Sequence, residues 1–384
     1  MKILEVITSL SSGGGERFVT DLCNELSLSK NDEIELLILK DDKLPEYSFY
    51  TNELRPTIKY SCLSERKFSI KSQYKVWKAI RNIVHIHLNG TLNMVLPTIF
   101  MYRKPIYVQT LHGRADKQFG SKLDFFIKKL LYKLSLVKLI SISSDNEKSF
   151  SNTYNCTSNG LIINGRGEML SINPDIVKKE IDSLKPNSQT IVIAHVARLH
   201  PEKNQQLLIE GFNRIVANGA NAILLIIGGG FDSEKGKELQ ALACKNIHFM
   251  GLKKNVSDYL KCADAFILSS LNEAMPISLI EALACRCIPL STPVSGCIDI
   301  IKNGGNGFIA KDFTLDSFVT MLNDFSKKHD KIDRESLYEY YQKNLSIKSC
   351  VNRCLLLFNR LRGGINSIIY NFHPLFTYTS NVAA

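Results

Sequence analysis

Several features that would place a protein in a well-marked class are missing from this sequence. Its ten cysteines are scattered and include no C-x-x-C pair, which disfavours a disulfide framework and predicts reduced, structural thiols in a cytosolic chain. No apolar run is long enough to span a bilayer, so we expect any contact with a membrane to be peripheral. The first apolar run contains Glu5 and stops at a glycine cluster without a cleavage site, which is unlike a signal peptide.

Acidic residues are in deficit. The sequence has 48 Lys and Arg against 37 Asp and Glu, a net charge of +11, which favours anionic partners such as nucleotides, phospholipid surfaces or nucleic acid. A chain of 384 residues is too long for one ordinary core, and its 45% hydrophobic residues can bury substantial ones. Two folded domains are therefore expected.

Apolar strand-like runs alternate with helical patterns along most of the chain. This alternation predicts an α/β fold with two doubly wound, Rossmann-like domains that face a central cleft. We predict the first domain over 1–165, a polar linker over 166–189 and the second domain over 190–345. A helix and tail over 346–384 could pack back on the first domain. Ligands should bind in the cleft, at the carboxyl ends of the strands.

Three local patterns in the first half carry further expectations. Residues 41–65 have a loop-like composition, and residues 122–138 predict one basic amphipathic helix. His85 and His87 alternate with apolar residues on a predicted strand, so they share one face of it. We interpret them as packed histidines rather than metal ligands, because no cluster of carboxylates or cysteines accompanies them.

The stretch 269–292 is the most informative part of the sequence. Glu273 precedes Pro276, which suits the first turn of a helix, and Glu281 falls within that helix. The helix N-terminus offers free N–H groups to an anion, and the two carboxylates could accept hydrogen bonds from sugar hydroxyls. Two solvated surface glutamates are the alternative.

Other candidates lie just beyond predicted strands. Arg198 and Lys203 follow the first strand of the second domain, where they could neutralise a diphosphate or simply be solvated cations. His112 follows another strand, and a glycine turn that includes Gly14 and Gly15 follows the first. Each could line a ligand site or be an ordinary loop residue.

Taken together and in order, these motifs resemble the GT-B fold retaining glycosyltransferases of family 4, the glycosyl transferases group 1. The resemblance covers about residues 1–360. It rests on an ordered set of segments: Gly13-Gly-Gly-Glu-Arg17, Val196-Ala-Arg198 through Lys203, Ile247-His-Phe-Met-Gly251, Glu273-x7-Glu281-Ala-Leu-Ala and Gly304-Gly-Asn-Gly307-Phe.

The resemblance implies a role for each matching position. Arg198 and Lys203 would bind the diphosphate of a nucleotide-sugar donor, and Glu281 would accept hydrogen bonds from its ribose. Glu273 would hold the donor sugar, and His112 would lie beside its reacting carbon. The remaining positions would contact the phosphate or acceptor, the base and the donor sugar: Gly14, Gly15, Gly251, Leu252, Ala274, Met275 and Pro276. One departure is Arg286, which stands where the family commonly has glycine, so we expect this helix to end differently.

The function implied is transfer of a hexosyl or N-acetylhexosaminyl group, from a UDP-sugar by preference, to a lipid-linked or polysaccharide acceptor of a bacterial surface glycan. No D-x-D pair occurs, in line with a transferase that needs no metal or other cofactor. A nucleotide-sugar epimerase of the same fold and a non-catalytic sugar-nucleotide-binding protein are the alternatives.

Two basic stretches of the first domain, 66–81 and 103–138, predict contact with an anionic membrane surface. They lack interleaved stacking aromatics on sheet surfaces, so we do not expect a nucleic-acid partner. The expected location is the cytoplasm, peripheral to the inner face of the cytoplasmic membrane.

Overall fold

The computed structural model describes residues 1–40, 43–63 and 69–363, and for Asn89 it describes the backbone alone. Two α/β domains are present, each built on a parallel sheet with helices on both faces. Of the basic stretch 66–81, residues 66–68 lie outside the described part of the chain, as do residues 364–384 of the predicted tail.

The first sheet has seven strands in the order β3-β2-β1-β4-β5-β6-β7, all paired in parallel. Its central strands are buried on both faces, which explains why they read as nearly continuous apolar runs. The strands are β1 (Lys2–Ile7), β2 (Glu33–Ile38), β3 (Lys59–Cys62), β4 (Ile83–His87), β5 (Ile106–Leu111), β6 (Val137–Ser141) and β7 (Gly160–Leu161).

Five helices connect these strands. They are α1 (Gly14–Leu26), α2 (Ile70–Ala79), α3 (Asn89–Met101), α4 (Lys122–Lys133) and α5 (Ser144–Tyr154). Three of them begin in the same way, with a serine whose hydroxyl accepts a hydrogen bond from an N–H of the first turn: Ser69, Ser121 and Ser143. Helix α1 lies on one face of the sheet, and α2, α3 and α4 share the core on the other face.

The second sheet has six parallel strands in the order β10-β9-β8-β11-β12-β13. The strands are β8 (Ile191–Val196), β9 (Ala222–Ile227), β10 (Ile247–Gly251), β11 (Ala265–Leu268), β12 (Ile288–Ser291) and β13 (Phe308–Ile309). The helices are α6 (Pro174–Leu184), α7 (Gln205–Ala217), α8 (Glu234–Leu242), α9 (Val256–Cys262), α10 (Ile277–Ala284), α11 (Ser295–Ile298), α12 (Leu315–Lys328), α13 (Arg334–Tyr340) and α14 (Ile347–Arg362).

The segment predicted as a linker contains helix α6. Val177 and Ile181 are buried at i, i+4 spacing, and the helix packs against α9 of the second domain. The sequence gives little sign of this helix because most other side chains of α6 are polar and exposed, which hides a narrow apolar stripe. At the other end of the second domain, α14 returns to pack against α1 of the first.

Two other boundaries differ from the predictions. The helix expected over 122–138 ends at Lys133, and Val137 already belongs to β6, because an apolar strand directly follows an amphipathic helix. The segment 41–65, expected to be a loop, contains β3. That strand is at the edge of the sheet and mostly exposed, so it has no apolar signature.

Candidate functional site

Each sheet has a switch point, where the strand order reverses and connections leave in opposite directions. It lies between β1 and β4 in the first sheet and between β8 and β11 in the second. Ligands of open α/β sheets bind beyond the carboxyl ends of the strands at such a point. The segments that follow these four strands therefore form the candidate site.

The loop after β8 carries Arg198 and Lys203. Arg198 is exposed, and the side chain of Lys203 is 25% exposed. The loop lies against Gly228, which has φ 155°, and a Cβ at that glycine would overlap the backbone of Ala197. Only glycine allows this close approach, so the cation-bearing loop has a fixed shape.

Lys203 and Glu273, predicted as donor-site partners, form an ion pair. Ser270 Oγ donates a second hydrogen bond to Glu273 Oε1 at 2.8 Å. The two loops are also joined directly, because Ser269 Oγ donates to the carbonyl oxygen of Lys203 at 2.8 Å. The structure thus brings together a cation and a carboxylate that are 70 residues apart in sequence.

The residues between Glu273 and α10 are held firmly. Met275 is only 6% exposed, and Pro276 is buried at the N-terminus of the helix. Behind them, Gly296 of α11 packs so closely that a Cβ there would lie 2.5 Å from the carbonyl oxygen of Ala274. The free N–H groups at the start of α10 are therefore presented by a rigid turn.

Glu281, the predicted ribose ligand, is paired with Arg166. Arg166 Nε donates to Glu281 Oε1 at 2.8 Å, and its Nη1 donates to Asp21 Oδ2 at 2.6 Å. Burial acts to lower the pKa of Arg166, but the two carboxylates raise it above its ordinary value. Asp21 belongs to α1 and Glu281 to α10, so this arginine bridges the two domains.

Helix α10 ends in the left-handed conformation that glycine usually supplies. Arg286 has φ 63°, so the expectation of a different ending was wrong. Its guanidinium donates to Glu335 at 2.6 and 2.8 Å and lies 4.0 Å from the centre of the Tyr338 ring. These contacts help offset the steric cost of left-handed backbone at a residue with a Cβ.

The glycine turn forms the start of α1 and faces the other domain. A Cβ on Gly14 would lie 3.3 Å from Ile277 of α10, and one on Gly15 would lie 3.3 Å from Leu88. The next residue, Glu16, is near enough to Arg198 for that cation to act on its pKa, although burial raises the pKa on balance. The first turn of α1 thus borders the cation-bearing loop.

His112 lies at the carboxyl edge of the first sheet, just after β5. Its Nε2 is 3.2 Å from Nδ1 of His87, and its ring centre is 5.7 Å from that of Phe18. Phe18 belongs to α1, so His112 is held beside the glycine turn. The structure therefore places His112 next to the first-domain part of the candidate site.

Behind His112 is a fully buried cluster of Glu5, His85 and His87. The parallel register of β1 and β4 aligns Glu5 with His85. The potential ligand atoms of the three residues lie within 4.8 Å of one another, close enough for a metal site. The histidines are packed as predicted, but the premise that no carboxylate accompanies them was wrong, because pairing of distant strands supplies Glu5.

Hydrogen bonds and burial set the charge of this cluster. Burial acts to raise the pKa of Glu5, but His85 and His87 lower it to about 2 by charge and hydrogen bonding. Burial and the neighbouring His85 lower the pKa of His87 to about 4. Burial, with His87 and His85 nearby, also lowers the pKa of His112. Near neutral pH, Glu5 is ionised, whereas His87 and His112 are uncharged.

A second contact between the domains lies at α5. Asp299 accepts hydrogen bonds from both the backbone N–H of Ser144, at 2.8 Å, and its hydroxyl. The neighbouring Ser143 and Ser295 hydroxyls are 3.3 Å apart. A carboxylate at a helix N-terminus is favourable, so Asp299 helps to hold the domains in this arrangement.

Gly251 and Leu252 are set apart from the other predicted residues. Gly251 is the last residue of the edge strand β10 and Leu252 follows it, and β9 separates this strand from β8. Gly251 has φ 71°, and Leu252 is 72% exposed. Within the described ranges, no hydrogen bond or ion pair joins either residue to Arg198 or Lys203.

Arg166, Asp21, Glu5 and His87 belong to the site region but were not predicted as site residues. The sequence pattern could have indicated Glu5, since it is a charged residue in the middle of an otherwise largely apolar strand. Arg166 and Asp21 had no such signal, because their partners are 115 to 145 residues away in sequence.

Comparison with known proteins gives consistent results. Residues 177–344 match the model of the family described as glycosyl transferases group 1. The chain is 25% identical over 357 residues to an Escherichia coli UDP-Gal:alpha-D-GlcNAc-diphosphoundecaprenol alpha-1,3-galactosyltransferase, covering 87% of this chain and 88% of the relative. It is 23% identical over 326 residues to a Campylobacter jejuni GalNAc-alpha-(1->4)-GalNAc-alpha-(1->3)-diNAcBac-PP-undecaprenol alpha-1,4-N-acetyl-D-galactosaminyltransferase, covering 80% of this chain and 84% of that relative.

Among solved structures, the fold is similar to that of Anabaena HepE in complex with UDP and glucose. The TM-score is 0.74 at 16% identity, and the match covers 94% of this chain and 99% of that one. Identity at this level supports the fold alone.

Proposed function

Because residues 177–344 match the group 1 glycosyl transferases and the fold is GT-B, we propose that this chain is a retaining glycosyltransferase that uses a UDP-sugar. The acceptor is a lipid-linked or polysaccharide glycan of a bacterial surface structure. One observation carries the proposal: two cations follow β8 and two carboxylates follow β11, the strands that flank the switch point of the second sheet, and Lys203 pairs with Glu273. Two of the relatives are named as transferases for undecaprenol-linked acceptors, which supports the acceptor class.

In this proposal each residue has a distinct task. Arg198 and Lys203 stabilise the negative charge that develops on the diphosphate as the sugar departs. Glu273 holds the hydroxyls of the donor sugar, and Glu281 holds those of the ribose. When the donor enters, Lys203 exchanges part of its contact with Glu273 for a phosphate oxygen.

The configuration at the anomeric carbon is retained when the acceptor attacks the face of the sugar that the leaving group vacates. The leaving group itself, held by two cations, is then the base nearest to the attacking hydroxyl. Positive charge from the protein does the work for which other enzymes use a divalent cation. Transfer is therefore expected to continue when EDTA is added.

The first domain carries a surface suited to an anionic membrane, which we call the apolar-basic face. Exposed apolar side chains occur on α2, at the end of α3 and on α4, helices that cover the same face of the first sheet. All but Met101 lie within the two basic stretches, among their lysines and arginines. These exposed side chains are Ile70, Tyr74, Trp77, Met101, Leu123, Phe126 and Leu130. Such side chains can enter the interface while the cations contact lipid headgroups. We propose that this face holds the enzyme on the inner leaflet, near a lipid-linked acceptor.

Flotation with liposomes tests this placement. Leu123 and Phe126 are 70% and 63% exposed on α4. The double substitution Leu123→Ser and Phe126→Ser is expected to reduce recovery with anionic vesicles several-fold. Leu242→Ser, at a half-exposed leucine of the second domain, should have no effect. Wild-type protein that fails to float with anionic lipid at low salt would rule out the membrane role.

A transfer assay tests the enzymatic function. Purified enzyme is incubated with a panel of UDP- and GDP-sugars and extracted lipid-linked acceptors, and the acceptors are analysed by mass spectrometry. We expect the mass of one hexosyl or N-acetylhexosaminyl residue to be added from a UDP-sugar. Lys203→Ala should abolish this addition, whereas Lys235→Ala, at an exposed lysine paired on the surface with Glu238, should not. An epimerised nucleotide sugar beside an unchanged acceptor would contradict the proposal.

A further inference from the structure

The buried cluster behind His112 forms a continuous line of hydrogen bonds into the candidate site. His87 Nε2 lies 2.6 Å from Glu5 Oε2, and His87 Nδ1 lies 3.2 Å from Nε2 of His112. Glu5 and His87 have no exposed surface. A line that begins at a buried carboxylate and ends at a site residue can set the position of every proton along it.

The positions of the protons follow from the hydrogen-bonding chemistry of the three groups. A carboxylate can only accept, so His87 must donate its Nε2–H to Glu5. Neutral His87 then has its lone pair on Nδ1 and can only accept at that atom. The contact at 3.2 Å therefore requires His112 to donate from its own Nε2. Nδ1 of His112 is left with a lone pair.

We propose that Glu5 and His87 are positioning residues that hold His112 in its neutral Nε2–H tautomer, so that its Nδ1 accepts a hydrogen bond from a hydroxyl of a bound sugar. This inference rests on the proposed transferase function for the identity of the ligand. The tautomer itself follows from the buried line alone. The low pKa of Glu5, about 2, keeps that carboxylate ionised, and the pKa of His87, about 4, keeps that ring neutral.

A fixed neutral tautomer divides the chemistry of the site. His112 cannot add positive charge at the diphosphate, so that task falls to Arg198 and Lys203. It can orient a hydroxyl by accepting a hydrogen bond from that hydroxyl at Nδ1. Neutral histidine in a single tautomer is selective for such donors and rejects groups that only accept.

Aromatic rings flank the line on two sides. Phe18 of α1 packs against both His87 and His112, with ring centres 6.0 and 5.7 Å away. On the far side, Phe358 of α14 lies 5.4 Å from His85. Burial raises the pKa of the Cys23 thiol, a hydrogen bond with Cys350 and burial raise that of Cys354, and the charge of Glu5 acts in the same direction on both.

His85 provides a matched comparison within the cluster. Its Nδ1 is 3.2 Å from Glu5 Oε1, and its Nε2 is 2.7 Å from the Thr110 hydroxyl. It shares the strand, the burial and the carboxylate partner of His87 but makes no hydrogen bond to His112. Replacing either histidine leaves the buried carboxylate of Glu5 with one histidine partner. Both substitutions should therefore affect the stabilisation of its charge to a similar extent.

The first test reads the tautomer directly in the wild-type protein. The chain has 8 histidines, and protein labelled with ¹⁵N-histidine gives long-range ¹H–¹⁵N correlation spectra that distinguish protonated from unprotonated ring nitrogens. His112→Asn identifies the signals of His112. We expect Nε2 to be protonated and Nδ1 unprotonated. A His112 protonated on Nδ1, or purified protein with a stoichiometric transition metal at the cluster, would overturn the proposal.

The second test compares His87→Phe with His85→Phe. We expect His87→Phe to lower kcat by about tenfold or more, because His112 is no longer held in one tautomer, while the affinity for UDP is unchanged. His85→Phe should retain most of the turnover and the His112 signals of the wild type. Equal losses in both variants would indicate packing alone and refute the positioning role. A wild-type enzyme without transferase activity would instead count against the proposed function, while the spectra would still decide the tautomer.

Discussion

Glu281 illustrates at the residue scale how a candidate ligand is prepared before the ligand arrives. Its carboxylate is 14% exposed, and one oxygen is engaged by Arg166. The other oxygen, Oε2, makes no hydrogen bond within the described residues, so it can accept from a ribose hydroxyl. The arginine keeps the carboxylate in place and offsets its charge near a diphosphate.

The substitution Glu281→Gln tests this role. A neutral amide accepts more weakly than a carboxylate, and hydrogen bonds to charged groups contribute about 1.5–3 kcal/mol, so the Kd for UDP should rise roughly ten- to a hundredfold. Isothermal titration calorimetry measures the change. Glu238→Gln, at an exposed glutamate of the same domain, is the control. Unchanged UDP affinity in Glu281→Gln would remove Glu281 from the ribose site.

At the scale of elements, the loop before α10 depends on the helix behind it. Gly296 of α11 allows its backbone to approach Ala274 and Met275, and its N–H donates to the carbonyl oxygen of Glu273 at 3.3 Å. A methyl group at this position must move the loop, since the three atoms nearest to it are all backbone atoms. The position of Glu273 therefore depends on a residue that touches no ligand.

We predict that Gly296→Ala lowers transfer activity strongly and stability by about 1–3 kcal/mol, because the added methyl overpacks a rigid contact. Activity assays and denaturant unfolding measure both effects. Gly229→Ala provides the comparison, since a Cβ there meets no atom within 4 Å. If the two alanine variants behave alike, the loop is less constrained than this contact indicates.

Strand and helix order could be predicted from the sequence because buried parallel strands are apolar runs. Ala222–Ile227 and Ile106–Leu111 are examples, because most of their residues are both apolar and buried. Edge strand β3 and helix α6 could not be found in this way, since each exposes most of its residues. The positions of Arg198, Lys203 and Glu273 at strand ends followed from the fold, but the roles of all predicted site residues stay predictions.

The whole molecule is held in its present arrangement by polar contacts between the domains. Arg166 connects Asp21 of α1 with Glu281 of α10, and Asp299 connects with Ser144. No sequence pattern could indicate these pairs, because each joins residues more than a hundred positions apart. They arise only when both domains are folded.

Arg166→Met is expected to weaken this arrangement. It leaves Asp21 and Glu281 without their shared cation, so we expect a loss of about 2 kcal/mol or more in the free energy of unfolding and a larger radius of gyration. Denaturant unfolding and small-angle X-ray scattering measure the two effects. Arg214→Met, at an exposed arginine paired with Asp316 within the second domain, should change neither. Identical scattering from Arg166→Met and the wild type would show that the bridge does not hold the domains together.

Stability should fall in mild acid. His87 and His195 are buried, and burial is the main cause that lowers the pKa of each from 6.5 to about 4. Below pH 6.5 the unfolded chain binds protons that the folded chain cannot, so stability is lost as the pH falls towards 4. Glu5 acts in the same direction between its ordinary pKa of 4.5 and about 2.

Thermal unfolding at a series of pH values measures this effect. We expect Tm to decrease steadily below about pH 6.5, and His195→Leu should make the decrease shallower by removing one of the titrating groups. His195 is well suited to this comparison because its Nδ1 bonds only to the carbonyl oxygen of Ile267 within the described residues. A constant Tm from neutral pH to pH 5 would show that these histidines titrate normally in the folded protein.

We propose that Arg198, Lys203, Glu273 and Glu281 form one donor site. A crystal structure with UDP or a UDP-sugar tests it most directly. We expect the diphosphate to lie within about 3 Å of Arg198 and Lys203 and the ribose hydroxyls to bind Glu281. A nucleotide bound elsewhere, with the Lys203–Glu273 pair intact and no phosphate near either cation, would contradict it.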